Sequence, residues 1–211
     1  LRECRLGYAF RSFFFVARTE QLSRVGRSFT SLSAHDAFSQ PGGRVLLARK
    51  PSMTEPVVSV VIPFHEGSPE FLTRAIRSVQ LQTYRPLEVY VVDDGSRLAF
   101  GGIEQDFGDL VVRWTQLHRN RGVAEARNTG IRASAGRYVA FLDADDWWEP
   151  KKMEEQIGAM ISGDWKWCYC SVIAHTPFGL VEMRATHEGD ISNDILRSQI
   201  VTGSCSSVVV D

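Results

Sequence analysis

No stretch of this 211-residue chain reaches the ~18 consecutive apolar residues that a membrane-spanning helix needs. Cysteine is scarce as well: four scattered thiols cannot staple a disulfide scaffold. Cys168 and Cys170, on a predicted strand, read as packing thiols in a reducing compartment. A Cys-x-Cys zinc site is the sharper alternative for that pair, but no matching ligand pair follows it. Charge of one sign is lacking overall, since 24 Lys and Arg stand against 25 Asp and Glu. The charge divides along the chain, however. Residues 1–52 hold nine basic against three acidic residues, or +6, which leaves −7 for 53–211. A negative domain is a poor match for nucleic acid, whose phosphates call for clustered cations. No internal repeat is visible.

Sustained periodicity is missing from residues 1–52, although Phe13-Phe14-Phe15 is apolar and Ser39 to Gly43 reads as a loop. The chain begins with Leu1, and Met53 stands immediately before the first clear strand. The segment is therefore expected to be a disordered or upstream-translated extension outside the domain, which would occupy 53–211. A targeting peptide and a small docked helical extension are the alternatives, the first because the stretch is rich in Arg and Ser and poor in acids.

What is present begins with Tyr138-Val-Ala-Phe-Leu-Asp-Ala-Asp-Asp-Trp-Trp-Glu-Pro150. Its apolar run suits a strand buried on both faces, and the polar residues after it lie where ligands of open α/β sheets collect, at the carboxyl end of a strand. Asp143 and Asp145 are two apart, so in an extended backbone they leave on one side and can face a ligand together. Two hard oxygen donors suit Mg2+ or Mn2+, completed by water and substrate phosphates. The same spacing occurs at Glu104/Asp106 and Glu188/Asp190, so a solvated, helix-capping loop is the bland alternative, and context must decide.

The context is a series of strand ends. Val57 to Phe64 is β-branched and apolar and predicts a first central strand. Ser68-Pro69-Glu70 then predicts an N-cap, a proline at the first helical position and an acid in the first turn. Phe71, Leu72, Ala75, Ile76 and Val79 recur at helical spacing. Leu87 to Val92 predicts the next strand, which runs into Asp93-Asp94-Gly95-Ser96, by itself a good turn sequence. Val111 to Leu117 predicts a third strand and Gly122 to Ala135 a helix. After Pro150 the pattern predicts a helix to about Ser162, a strand near Lys166 to Ala174, a hairpin partner near Leu180 to Arg184 and a helix near Ile191 to Gln199. Strands alternating with helices imply right-handed crossovers and a mainly parallel, Rossmann-like α/β sheet flanked by helices.

Four motifs in this order resemble the family 2 glycosyltransferases, inverting nucleotide-sugar enzymes of the GT-A fold. They are Val58-Ser-Val-Val-Ile-Pro63, Val91-Val-Asp-Asp-Gly-Ser96, Asn120 to Gly130, and Asp143-Ala-Asp-Asp146. The resemblance implies roles residue by residue. Pro63 and His65 line the base pocket, where a flat ring can stack on uracil. Asp94 hydrogen-bonds the base edge, and Arg127 reaches the base or the diphosphate. Asp143 lies near the ribose, and Asp145 is the direct ligand of Mg2+ or Mn2+. Where the family commonly has Tyr-Asn this chain has His65-Glu66, so Glu66 adds a negative charge where the donor's phosphates approach. Trp147 and Trp148 offer a platform for acceptor sugar rings, with packing as the alternative.

The implied reaction moves a sugar from a nucleotide diphosphate donor, UDP-linked, to a hydroxyl of a saccharide or lipid-linked acceptor, with inversion. A cytoplasmic place, at the inner face of the membrane where the acceptor is lipid-linked, goes with that chemistry, although peripheral membrane association leaves no mark in the sequence. Thr202 to Val210 resembles the family segment beside the donor sugar and acceptor, and the general base is expected beyond Asp211. The chain as given should therefore bind donor without transferring sugar. Among rivals, a nucleotidyltransferase wants a Gly-rich basic loop where His65-Glu66-Gly67-Ser68 stands. A dehalogenase-type phosphatase places its Asp-x-Asp after the first strand instead of the fourth. A non-catalytic nucleotide-sugar-binding module is the alternative from another class.

Overall fold

The structure, a computed structural model, describes residues 8–18, 57–97, 106–187, 189, 201 and 204–211, the first of these spans as backbone. Chain order gives β1 (Tyr8–Arg18), β2 (Val58–Phe64), α1 (Pro69–Gln80), β3 (Leu87–Asp93), β4 (Val111–Gln116), α2 (Val123–Ala133) and β5 (Tyr138–Phe141). β6 (Trp147–Trp148), α3 (Lys152–Gly163), β7 (Trp167–Thr176), β8 (Gly179–Met183), the short 3-10 turn η1 (Cys205–Ser207) and β9 (Val208–Val210) follow. The predicted helix near Ile191 to Gln199 lies outside the described residues, as do Glu104, Glu188, Asp190, Thr202 and residues 19–52.

β2 and β3 are buried along their whole length, as continuous apolar runs require when both faces of a parallel sheet are covered. They pair in parallel from Val58 with Leu87 to Phe64 with Asp93. β4 adds in parallel to β3 and β5 in parallel to the other side of β2. The full order is β4-β3-β2-β5-β9-β7-β1-β6, with β8 on β7. β9 runs antiparallel between β5 and β7, so the sheet is mixed with a parallel half. That half bears out the predicted α/β class. Its strand order reverses between β2 and β5, and such a switch point opens a crevice at the carboxyl ends of the two strands.

β1 pairs in parallel with β7 and antiparallel with β6. The reading of 1–52 as an extension did not anticipate a strand there, because no period-2 pattern marks Tyr8–Arg18.

Helix α1 buries Leu72, Ala75, Ile76 and Val79, the apolar stripe read from its spacing. Its N-terminus is the expected one, with Ser68 at the N-cap, a proline in the first positions and Glu70 as the first-turn acid, but the Ser68 side chain makes no capping bond. Ser68 has extended geometry, but its hydroxyl donates to the Glu70 carboxylate, and only the Ser68 carbonyl meets the helix, accepting from Phe71 and Leu72 N–H at 3.2 Å. As a donor the Ser68 hydroxyl finds a charged acceptor in the Glu70 carboxylate, and a charge-assisted bond of this kind outweighs a neutral one to a helix amide.

Helix α2 packs on β2 and β3. A glycine makes its approach to β2 close: a Cβ on Gly130 would lie 2.3 Å from Val61 Cγ1, and Val61 is itself fully buried. A short β-branched side chain cannot swing aside. Gly130→Ala should therefore destabilise the fold by about 1–3 kcal/mol from overpacking, partly offset by ~1 kcal/mol of helix propensity. Chemical denaturation with unchanged slope and a lower midpoint would show this; a higher midpoint would mean that α2 shifts outward freely.

Candidate active site

At the switch point lies an open cleft of about 320 Å3. The end of β2 and the loop after it contribute Pro63, Phe64, His65, Gly67 and Ser68, α1 contributes Phe71, and α2 contributes Val123 and Arg127. Asp143, Ala144 and Asp145 close it from the end of β5. Five residues singled out in the sequence (Pro63, His65, Arg127, Asp143 and Asp145) thus share one space.

The acidic stretch reaches the cleft differently from the extended geometry expected. Leu142 completes the pairing with β2 by donating its N–H to the Val61 carbonyl at 3.1 Å. The chain then turns, with Asp146 N–H bonded to the Asp143 carbonyl at 3.1 Å. Asp143 and Asp145 both face the cleft from this turn instead of from one side of a strand. The cause is Asp146, which is drawn inward.

Arg127 Nη2 donates to Asp143 Oδ1 at 2.6 Å, both side chains being about three-quarters buried. A charge-assisted bond of that length fixes both groups. It offsets the Asp143 charge, and the exposed Asp145 lines the same cleft beside it. Arg127 Nε is buried and has no hydrogen-bond partner among the described residues. An unsatisfied guanidinium donor beside a cleft suits an anionic ligand oxygen.

Other expected residues stand elsewhere. Asp94 is buried and is not part of the cleft lining; its two oxygens accept the N–H groups of Arg121 at 2.8 Å and Gly122 at 2.7 Å. It thereby holds the entry to α2, where Gly122 has φ of 90°, a conformation that favours glycine. Glu66 is exposed and also outside the lining. Its carboxylate accepts from Arg97 N–H at 2.9 Å, and Arg97 Nε lies 3.4 Å away. The Arg97 contacts hold its carboxyl below the usual range. The charge expected to meet the donor's phosphates is directed at the loop after β3 instead.

The tryptophans separate. Trp148 is 2% exposed, so it cannot serve as an acceptor platform. Its indole donates to the Ser206 carbonyl at 2.9 Å, and the fully buried Lys152 ammonium lies 4.3 Å over the ring. Trp147 is partly exposed, with the Arg74 guanidinium 4.0 Å from its ring centroid. Arg74 also donates to the Asp145 carbonyl at 2.7 Å.

Sequence reasoning missed the role of Asp146. It is 3% exposed and accepts from Ser206 Oγ at 2.7 Å and Ser204 Oγ at 3.2 Å. Burial pushes its carboxyl up to about 7, against the lowering effect of the Ser206 hydroxyl and with the Asp145 and Asp143 charges adding to the rise. Only its place beside two aspartates signals it in the sequence; the partners come about 60 residues later.

Comparison with known proteins agrees with this geometry. The model of the family described as "Glycosyl transferase family 2" matches residues 59–203. An uncharacterized glycosyltransferase of Rickettsia prowazekii, RP339, is 32% identical over 137 residues, 64% of this chain and 41% of that protein. The UDP-Glc:alpha-D-GlcNAc-diphosphoundecaprenol beta-1,3-glucosyltransferase WfgD of Escherichia coli is 32% identical over 117 residues, 56% of this chain and 46% of that protein. The chain spans less than half the length of either relative. Among solved structures, the mannosyltransferase PcManGT from Pyrobaculum calidifontis, in complex with GDP-Man and Mn2+, superposes with a TM-score of 0.51 at 24% identity, covering 57% of this chain and 37% of that one; it bears out the GT-A-type fold. With a family match that takes in β2 to β8, the cleft at the switch point and the acidic turn, the chain belongs to the family 2 glycosyltransferases.

Proposed function

We propose that the cleft between β2 and β5 binds a nucleotide-sugar donor, UDP-linked, for inverting transfer of a hexosyl unit to a hydroxyl of a saccharide or lipid-linked acceptor. The observation that carries this reading is the convergence of His65, the Arg127–Asp143 pair and Asp145 on one cleft. The exposed His65 ring, beside Pro63, is positioned to stack on a base, and Arg127 Nε offers a donor to an anionic oxygen. WfgD, by its name, takes a UDP-sugar and a diphosphoundecaprenol-linked acceptor, which supports a donor and an acceptor of this class.

The residues suit Mg2+ or Mn2+. Among the described residues no group of three or more His, Cys, Asp or Glu could hold a metal by itself. These ions are instead commonly held by one or two carboxylates plus substrate phosphates, which is what Asp145, with Asp143 beside it, can offer. Bound there, the ion would neutralise charge developing on the departing diphosphate. Arg127 would hold the Asp143 carboxylate in place and meet the phosphate side through Nε. In the reaction the acceptor oxygen loses its proton to a general base and attacks the anomeric carbon opposite the diphosphate, while the old glycosidic oxygen leaves with its electron pair. Asp143 and Asp145 lie on the leaving-group side, so the base is assigned to a carboxylate outside the described cleft.

A thermal-shift screen of nucleotide sugars with Mn2+ tests the reading. Stabilisation by UDP-sugars is expected; stabilisation by none would remove it. Residues 1–52 are proposed to play no part in donor binding, because the described residues of the cleft all come from 63–145. Deletion up to Met53 should leave UDP affinity within about twofold of the whole chain. A larger loss would show that β1 supports the acidic turn through its pairing with β6, and the melting temperature would report separately on the sheet.

A further inference from the structure

The acidic turn is held from behind by a serine far along the chain. Ser206 is fully buried. Its hydroxyl accepts the Asp143 N–H at 2.8 Å and donates to Asp146 Oδ2 at 2.7 Å, while its carbonyl accepts the Trp148 indole N–H at 2.9 Å. One residue thus bonds the first residue of the turn, the last, and the strand that follows.

The hydroxyl has a single proton, and giving it to Asp146 fixes the rotor so that a lone pair meets Asp143 N–H. Such linked bonds strengthen one another in a buried setting. Asp146 is thereby committed to the serines, Ser204 Oγ included, and faces away from the cleft. Asp143 and Asp145 depend on the same turn for their placement, and a displacement of about 1 Å in a site of this kind is costly.

We infer that Ser206 is a positioning residue for the donor site: through Asp143 N–H and the Asp146 carboxylate it sets the turn from which Asp143 meets Arg127 and Asp145 enters the cleft. The inference rests on the proposed donor-binding role of the cleft. Ser59 supplies a matched control. It is also fully buried, accepts the Gly136 N–H at 2.9 Å and donates to Glu88 Oε1 at 2.6 Å, near the opposite end of β2. A serine that matters only for stability would behave as Ser59 does.

The test is calorimetric titration of UDP in Mn2+ on the whole chain and on Ser206→Ala, Ser206→Thr and Ser59→Ala, with melting temperatures for each. Ser206→Ala is expected to weaken UDP at least fivefold, Ser206→Thr, which keeps the hydroxyl, to recover most of that loss, and Ser59→Ala to lower the melting temperature while leaving affinity within twofold. Unchanged affinity in Ser206→Ala, or equal weakening in Ser59→Ala, would overturn the inference while leaving the donor reading intact. If Ser206→Ala does not fold, Ser206→Cys, which keeps the volume and weakens the acceptor, takes its place with the same criteria. A wild-type chain that does not bind UDP in Mn2+ would overturn the donor reading and the inference with it.

Discussion

Asp145→Asn is expected to abolish most of the Mn2+-dependent affinity for UDP while leaving the unliganded fold untouched. Asp145 is exposed on the turn after β5, and asparagine keeps the backbone carbonyl to which Arg74 donates at 2.7 Å. Asparagine retains the shape but offers no negative charge to a divalent ion. Asp143 cannot fully replace it, because the Arg127 guanidinium at 2.6 Å already offsets its charge. The affinity in Mn2+ should fall at least tenfold, about 1.4 kcal/mol or more, and the melting temperature without ligand should change little, as for most surface substitutions. Calorimetry with and without Mn2+ separates the two contributions. Equal affinity of mutant and wild type in Mn2+ would assign the ion elsewhere.

Asp94→Ala should act on the fold and the ligand together. The buried carboxylate accepts the Arg121 and Gly122 N–H groups. Gly122 N–H keeps a second acceptor in Asn120 Oδ1 at 3.0 Å, whereas the Arg121 N–H bonds Asp94 Oδ1. Losing charge-assisted bonds there should cost about 2–3 kcal/mol, or roughly 4–12 °C in melting temperature for a domain of this size. The entry to α2 would loosen, and with it the Arg127 end of the cleft. Each Asp94 oxygen keeps a lone pair, and although the carboxylate is buried outside the cleft lining, we propose that a bound uracil reaches one of them with its imide N–H. The unmutated protein should then prefer UDP to CDP, whose ring nitrogen there carries no hydrogen, and Asp94→Ala should flatten the preference. A melting temperature within ~2 °C of wild type would contradict the structural part, and equal binding of CDP and UDP to the unmutated protein the ligand part.

The parallel half of the sheet was legible because its strands are written as continuous apolar runs, Val58–Phe64 and Leu87–Asp93, separated by a helix with one apolar stripe. β6 and β9 were not, since strands of two and three residues carry no period and exist only because β1, β5 and β7 offer edges to them. The same distinction runs through the site. Asp143, Asp145 and Arg127 were legible from the order of the motifs, but their ion pair depends on how closely Gly130 lets α2 approach β2. Trp147 and Trp148 look alike in sequence. One meets Arg74 at the surface, and the other is enclosed by Ser206 and Lys152, which neighbouring residues do not reveal. Glu66 was misleading for a local reason: with φ of 48° it turns toward Ser96 and Arg97, and the β2 loop becomes latched to the β3 loop.

The most direct test of the account is a crystal structure of this chain with UDP and Mn2+, read through the anomalous signal of manganese. The account predicts a single Mn2+ at ~2.1 Å from an Asp145 carboxylate oxygen, the diphosphate between it and the Arg127 side of the cleft, and the uracil against His65. Manganese bound away from Asp145, or UDP seated outside the cleft between β2 and β5, would contradict it.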